Sequence, residues 1–293
     1  MLFPATTELL HFLYAFILLG SCAWYIRRFD PIGLRRLYKA LTHPKNAPSF
    51  PRQFVDKGVK TLPPMRKVTP RYLAYRLKFT LCMFFVNVYT YVFTNDFHGK
   101  ISKEVLQGLG FSYQNFMQHK WFILITSNFI HFHLLHLAAN MLMLLAFSGS
   151  LELLAGTGMA ASVYLVSMNS NVPNGLFLLP GLRVFFPDIW KETVQFLDVG
   201  ASLGIIGSLG GLARLLKPWA RWPILATTVT ISVGAAVVQH ELIGVDHAFS
   251  ALLGYIVASY CLRRAETRAG LKDNRIPFPV EEMRAKRSGT HGF

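Results

Sequence analysis

The sequence predicts an all-α, polytopic membrane protein. Of its 293 residues, 52% are hydrophobic and only 15% are charged, whereas a soluble domain usually carries about 25% charged residues. Several apolar runs of roughly 17–25 residues are long enough to cross a bilayer core as helices. They lack the alternation of polar and apolar residues that the strands of a membrane barrel require.

Hydropathy predicts seven membrane spans. The third is longer than a bilayer requires, so we expect its start to lie in the interface or in a preceding loop. The fourth contains the polar stretch NSNVPNG, and Pro173 within it is a candidate break point. The spans are 8–26, 77–95, 121–148, 157–179, 197–213, 222–240 and 244–262.

The distribution of basic residues predicts how these spans are oriented. With the loop 27–78 and the C-terminal tail on the inner side, 25 of the 30 Lys and Arg residues lie on that side. The positive-inside rule therefore favours seven spans with the C-terminus inside and the N-terminus outside. We predict four segments: an N-terminal helix (1–26), a basic connector with several prolines (27–76), a six-helix core (77–262) and a basic tail (263–293).

The net charge of +15 has two interpretations. Basic proteins bind nucleic acid or anionic surfaces, but loops retained on one side of a membrane explain the excess more simply. We therefore predict that the basic loops bind anionic lipid headgroups, and we predict no nucleic-acid partner. The sequence has no internal repeat and little intramembrane charge, which argues against a transporter or channel.

The sequence offers little for a disulfide framework or a metal site. The three cysteines, Cys22, Cys82 and Cys261, all lie in apolar spans, as small core thiols do. His131, His133 and His136 are close in sequence, but only His133 and His136 share a helix face, and no Cys, Asp or Glu joins them. We predict no metal and no cofactor.

Polar groups inside apolar spans are costly, so each is a functional candidate. His136 and Asn140 are four residues apart on one helix face. Two such hydrogen-bond donors can stabilise an oxyanion during acyl transfer. The alternative role for this pair is ordinary hydrogen bonding between helices.

Ser202 lies in the glycine-rich stretch VGASLG. Gly200, Gly204 and Ser208 recur every four residues, which predicts a stripe for close helix packing. Ser202 lies about 200° away from Gly200 on a helix, so packing explains Ser202 less well than its neighbours. Two roles stay open for Ser202: it is a nucleophile, or its hydroxyl donates a hydrogen bond to a backbone carbonyl of its own helix.

His247 is the candidate general base. Small residues follow it along one face of the seventh span, at Ser250, Ala251, Gly254 and Ala258, so this helix can pack closely with His247 on the contact side. The fifth and seventh spans run in the same direction. Ser202 and His247 are each three to five residues from the start of their span, which predicts similar depths near the outer face.

Three motifs resemble the rhomboid intramembrane serine proteases, and in particular their mitochondrial presenilin-associated branch. They are HFHLLHLAANMLMLLAFSGSLE, VGASLG and DHAFSALLG, and the resemblance covers about residues 77–262. One helix before a six-helix core is also the mitochondrial arrangement. The resemblance implies a cofactor-independent endopeptidase of the mitochondrial inner membrane that cleaves single-pass transmembrane substrates. Its C-terminus would lie in the matrix and its N-terminus in the intermembrane space.

The resemblance also assigns residues. Ser202 would be the nucleophile and His247 the base, while His136, Asn140 and the backbone N–H of Ser202 would form the oxyanion hole. Two departures matter: Leu203 stands where the family has glycine, and the mitochondrial branch often has Asp-His-x-x-His with the second histidine catalytic, which would put Ser250 in the catalytic place.

These departures keep a second function open. The chain would then be a catalytically inactive rhomboid that binds transmembrane helices, or a structural subunit of an inner-membrane complex. The distance between Ser202 and His247 discriminates between the two functions, because Leu203 would either admit His247 or hold its helix away.

Overall fold

The computed structural model describes residues 76–95, 101–185, 197–216, 218–239 and 243–268, with a few isolated positions outside these ranges. These ranges are helical and contain no strand beyond one isolated bridge. In chain order the helices are α1 (Lys78–Thr94), α2 (Lys103–Leu109), α3 (Tyr113–Met117), α4 (Ile123–Thr126), α5 (Leu134–Ala155), α6 (Thr157–Ser167), α7 (Asn171–Phe185), α8 (Ser202–Leu215), α9 (Pro218–Gln239) and α10 (Ile243–Arg268).

The helices depart from the predicted spans mainly at their ends. The predicted third span begins only at Leu134, because residues 121–133 form the four-residue α4 and turns, as its excess length suggested. The fourth span is broken at residues 168–170, so that Pro173 occupies the first turn of α7, where a missing N–H is tolerated.

Other predicted boundaries shift or lie outside the described residues. The fifth span was expected from residue 197, but α8 starts at Ser202. Helix α10 continues six residues past the predicted core boundary at 262. Within the described part of the chain, two helices, Leu134–Ala155 and Gly244–Ala265, are long and apolar enough to cross a membrane. The first span (8–26) and nearly all of the connector 27–76 lie outside the described residues.

Helix α8 is the centre of the fold. Every residue from Leu203 to Ala213 is buried, and a helix that is apolar on all sides is expected in such a central position. A β-carbon on Gly204 would lie 2.7 Å from the ring of Tyr164 in α6, so the glycine is needed for this contact.

The closest helix contact joins α8 to α10. A β-carbon on Gly254 would overlap the backbone carbonyl of Gly207, and one on Gly210 would overlap that of Ala251. The predicted small face of α10 therefore packs directly on the backbone of α8. On α8, Gly204 and Ser208 do belong to a packing face, but Gly200 lies before the helix, so its assignment to that stripe was wrong.

Helix α5 contains a π-helical turn at Leu144–Ser148. In a regular α-helix, Ser148 would lie about 80° away from the face of Asn140, at about 100° per residue. One extra residue in a π-bulge absorbs about 100° and returns Ser148 to that face. The Ser148 hydroxyl then donates to Ser208 Oγ on α8 at 2.8 Å.

A buried carboxylate joins α1 to the inner end of α5. Glu152 is 1% exposed. It accepts hydrogen bonds from the backbone N–H groups of Phe79 (3.0 Å) and Thr80 (2.9 Å), and from the hydroxyls of Thr80 and Thr157 (both 2.8 Å). The carboxylate thereby satisfies N–H groups that the first turn of α1 leaves without intrahelical partners, and its negative charge faces the positive end of that helix.

This contact predicts a large loss of stability for Glu152→Gln. The amide keeps the shape of the side chain, but it replaces a charged hydrogen-bond acceptor by a neutral one. Its NH2 group also faces hydrogen-bond donors that the carboxylate accepted from. Since a hydrogen bond to a charged group contributes about 1.5–3 kcal/mol, we expect the free energy of unfolding to fall by at least about 2 kcal/mol. Thermal unfolding of the full chain in detergent micelles measures it.

The matched control is Glu104→Gln, because Glu104 is exposed in the first turn of α2. We expect its midpoint to stay close to that of wild type. Equal midpoints for the two variants would contradict the role given to Glu152.

Candidate active site

Ser202 and His247 are in contact. Ser202 is the first residue of α8 and His247 is the fifth of α10, so both lie at the same end of two parallel helices. The Nε2 atom of His247 is 2.8 Å from Ser202 Oγ, within the reach required of a nucleophile and its base. Both rest on a rigid helix contact, which holds such a pair more precisely than loops do.

Leu203 does not separate this pair. Its side chain is 3% exposed, so it is accommodated inside the protein. Its backbone carbonyl accepts a hydrogen bond from the hydroxyl of Ser250. Ser250 therefore faces α8 beyond Ser202, and His247 is the residue of α10 that faces Ser202. The alternative register, in which Ser250 takes the place of the base, does not match this geometry.

His136 and Asn140 lie beside the turn that precedes Ser202. A β-carbon on Gly200 would be 2.9 Å from Cε1 of His136 and 3.1 Å from Nδ2 of Asn140. The Nδ2 group of Asn140 is buried and has no hydrogen-bond partner among the described residues. A buried donor without a partner is costly, which is typical of a site that receives an acceptor from a ligand.

Helix α5 presents these two side chains because of how it begins. His133 is its N-cap, and its Nδ1 atom accepts a hydrogen bond from the backbone N–H of His136 at 3.1 Å. Side-chain acceptors at this position satisfy the free N–H groups of the first turn. The role of His133 is thus structural.

Gly200 is a site residue that the sequence analysis missed. Its φ of +117° lies in the region that favours glycine. Its N–H donates to the carbonyl of Ser127 at 2.8 Å. Because it has no side chain, His136 and Asn140 can lie close to its backbone. What indicates this role is its position two residues before Ser202, at the start of α8. Its spacing to Gly204 does not indicate it.

The start of α8 adds backbone donors to the site. The first N–H groups of a helix, here those of Ser202, Leu203 and Gly204, have no intrahelical acceptor. Their partial positive charge favours an anion at this end of the helix. The Ser202 N–H is therefore a further donor beside His136 and Asn140.

The segment 101–133, here called the outer segment, holds the serine turn in place. Phe111 and Asp198 exchange two backbone hydrogen bonds of 2.9 and 2.8 Å. Together with the bond from Gly200 to Ser127, these contacts fix the backbone just before Ser202. The contact could not be predicted from the sequence, because no local pattern links residues almost ninety positions apart.

The outer segment also contacts the start of α10. The hydroxyl of Tyr113 lies 3.4 and 3.5 Å from the two carboxylate oxygens of Asp246, and both residues are buried. Burial raises the pKa of Tyr113 above its ordinary value, and the charges of Asp246 and Asp198 raise it further. Tyr113 therefore stays neutral and donates. The Asp246 carboxylate faces this tyrosine.

His131 lies three residues before the start of α5. It is 0% exposed, and its ring meets that of His136 edge-on at 5.1 Å between centroids. Burial lowers the pKa of His131 to about 3, so it is neutral at physiological pH. It supports the position of His136. Among the described residues, no group of three His, Cys, Asp or Glu side chains could hold a metal ion.

Comparison with known families identifies the fold that carries this site. The Rhomboid domain family matches residues 118–264, half of the chain. The match includes His136, Asn140, Ser202 and His247. No curated protein and no solved structure matches the chain. The family match and the apolar helices together show that this chain is a membrane protein and belongs to the rhomboid family.

Proposed function

We propose that the protein is an intramembrane serine endopeptidase that uses Ser202 and His247 as a catalytic dyad. The observation that carries the proposal is the 2.8 Å contact between Ser202 Oγ and His247 Nε2. The buried amide of Asn140 next to Gly200 supports it, because the donors of an oxyanion hole must lie beside the nucleophile. A protein that only binds helices needs neither feature.

In the first step, Ser202 Oγ attacks the carbonyl carbon of the scissile peptide bond while His247 Nε2 takes its proton. The negative charge on the carbonyl oxygen is stabilised by Asn140 Nδ2, the His136 ring and the Ser202 N–H. The tetrahedral intermediate collapses when the imidazolium of His247 gives its proton to the leaving amine. The C–N bond breaks, and an ester with Ser202 remains.

In the second step, water replaces the amine. His247 takes a proton from the water as its oxygen attacks the ester carbonyl, and the same three donors stabilise the second oxyanion. Collapse returns the proton to Ser202 Oγ and releases the new carboxyl end. Apart from the substrate and this water, every group in these steps belongs to the chain.

We propose that the substrates are single-pass transmembrane proteins cleaved near the ends of their helices. Peptide carbonyls inside a helix are hydrogen-bonded and shielded, so the scissile segment must be unwound to reach Ser202. The dyad lies at the first turns of α8 and α10. The predicted orientation puts these turns near the outer face, where water is available.

The branch and location are also proposals. The histidine–asparagine helix resembles that of the mitochondrial presenilin-associated branch, and one predicted helix precedes the predicted six-helix core. We propose the mitochondrial inner membrane, with the N-terminus in the intermembrane space and the C-terminus in the matrix. On the matrix side the basic loops would contact anionic lipid.

The decisive experiment labels the reconstituted full chain with a fluorophosphonate, which reacts with activated serines. We expect labelling of wild type, none of Ser202→Ala, and a rate at least about 10²-fold lower for His247→Ala, the usual contribution of a general base. Cleavage of a transmembrane substrate should be fastest for wild type, slower for His247→Ala and absent for Ser202→Ala.

A folded wild type that neither labels nor cleaves would contradict the proposal. If this inactive wild type still co-purifies with membrane partners, the protein is instead a helix-binding rhomboid or a structural subunit. Retention of the wild-type melting midpoint by both variants separates a chemical loss from unfolding.

Gly200→Ala provides a second test, directed at the oxyanion hole. A methyl group there would approach His136 and Asn140 and would be strained at a φ of +117°. We expect cleavage to fall by about 10²–10³-fold, as when one oxyanion donor is lost. The control is Gly234→Ala in α9, where a β-carbon meets nothing within 4 Å. Equal activity of the two variants would show that Gly200 has no role in the site.

A further inference from the structure

We propose that Ser250 is a positioning residue for the dyad, acting through the backbone carbonyl of Leu203. This inference rests on the proposed protease function and extends it to a residue outside the dyad and the oxyanion hole. Ser250 is three residues after the base, and Leu203 is the residue directly after the nucleophile. Their hydrogen bond joins the two helices within one turn of the Ser202–His247 contact.

The direction of the Ser250 hydroxyl is unusual for a serine in a helix. Such hydroxyls commonly donate to the carbonyl four residues earlier in their own helix. Among the described residues, six hydroxyls do so, those of Thr94, Thr126, Ser162, Ser208, Thr228 and Ser259. Ser250 instead donates across to α8, while the carbonyl of Asp246, four residues before it, accepts from Ser170 at 3.1 Å. The bond therefore depends on the relative position of α8 and α10.

The bond lies on the line of closest helix contact. Ser250 and Leu203 are 47 residues apart, and so are Gly254 and Gly207, whose backbones meet one turn further along. A constant offset is what two parallel helices in fixed register produce. The contact of Gly254 with the backbone of Gly207 sets how closely the helices approach, but packing alone resists rotation and sliding less than a directional bond does. A directional hydrogen bond at Ser250 restricts both.

The leucine at position 203 explains why a hydrogen bond that restrains α8 and α10 is useful in this protein. Leucine adds a buried side chain directly after the nucleophile, so α8 and α10 must be held in a position that accommodates this side chain. Ser250 is 0% exposed and fits against this backbone with Gly207 close by. The hydroxyl thus secures His247 at Ser202 Oγ in a chain whose serine is followed by a large residue.

The same geometry predicts that the bond matters more for rate than for stability. The Leu203 carbonyl still has the Gly207 N–H as its intrahelical partner when the hydroxyl is removed. Ser250→Ala therefore leaves no buried acceptor unsatisfied, and its cost to stability is small. A displacement of the base by about 1 Å, in contrast, can reduce a rate by about 10²-fold.

The test compares fluorophosphonate labelling and substrate cleavage by the full chain with Ser250 as wild type, Ser250→Ala and Ser250→Cys. We expect Ser250→Ala to lower the labelling rate and kcat by about 10–10²-fold with KM unchanged, because substrate binding is not altered. The thiol of Ser250→Cys is a weak donor, so its rate should lie between the two. Equal rates for wild type and Ser250→Ala, or a cysteine variant no faster than alanine, would overturn the proposal.

The matched control is Ser259→Ala. Ser259 accepts a hydrogen bond from Arg214 Nε at 2.9 Å, so it also joins α8 to α10. It lies twelve residues from His247, about 18 Å along the helix. We expect nearly wild-type labelling and a similar change in the melting midpoint to that of Ser250→Ala. An equal loss of labelling in both variants would mean that any bond between these helices has the same effect.

A measurement without catalysis separates this proposal from the proposed function. In nitrogen NMR of histidine-labelled protein, Ser202→Ala should shift the His247 Nε2 resonance by removing its hydrogen-bond partner. We expect that shift to be lost or strongly reduced in the Ser250→Ala background. A wild type that does not react would disprove the protease, whereas an undiminished shift would disprove the positioning role of Ser250 whether or not the protein is a protease.

Discussion

The close contact between α8 and α10 is the constraint on which the site depends. A side chain on Gly254 would overlap the backbone of Gly207, and one on Gly210 would overlap that of Ala251. The backbones approach closely because Gly254 and Gly210 lack a β-carbon, and Ser202 and His247 at the adjacent end of the same helices come within hydrogen-bonding distance. In a bilayer such packing is the main force between helices, since lipid chains are as apolar as leucine.

A second set of contacts determines the backbone around Ser202. The outer segment pairs with Asp198 and accepts the N–H of Gly200, so the chain enters α8 in one conformation. The same segment contacts Asp246 through Tyr113, one residue before the base. One irregular region therefore contacts the chain next to both Ser202 and His247, in addition to the packing of α8 on α10.

Helix α5 connects the oxyanion side of the site to the opposite end of the fold. Asn140 faces Gly200, and Ser148 bonds to Ser208; both pairs are 60 residues apart, so α5 runs parallel to α8. The π-helical turn between them keeps both side chains on one face. Beyond it, Glu152 holds α1 in place. The geometry around Ser202 is thus attached to contacts deep in the bundle.

Hydropathy was enough to predict the helical class, and the cost of polar groups in apolar spans was enough to single out Ser202, His247, His136 and Asn140. The small face after His247 also followed from spacing alone. Tertiary structure decided that α8 begins at Ser202, that Gly200 turns with positive φ and that Leu203 leaves the dyad in contact. It also decided the π turn and the partners of Ser250 and Glu152. These features arise from contacts between residues far apart in sequence, and helical periodicity carries no information about such partners.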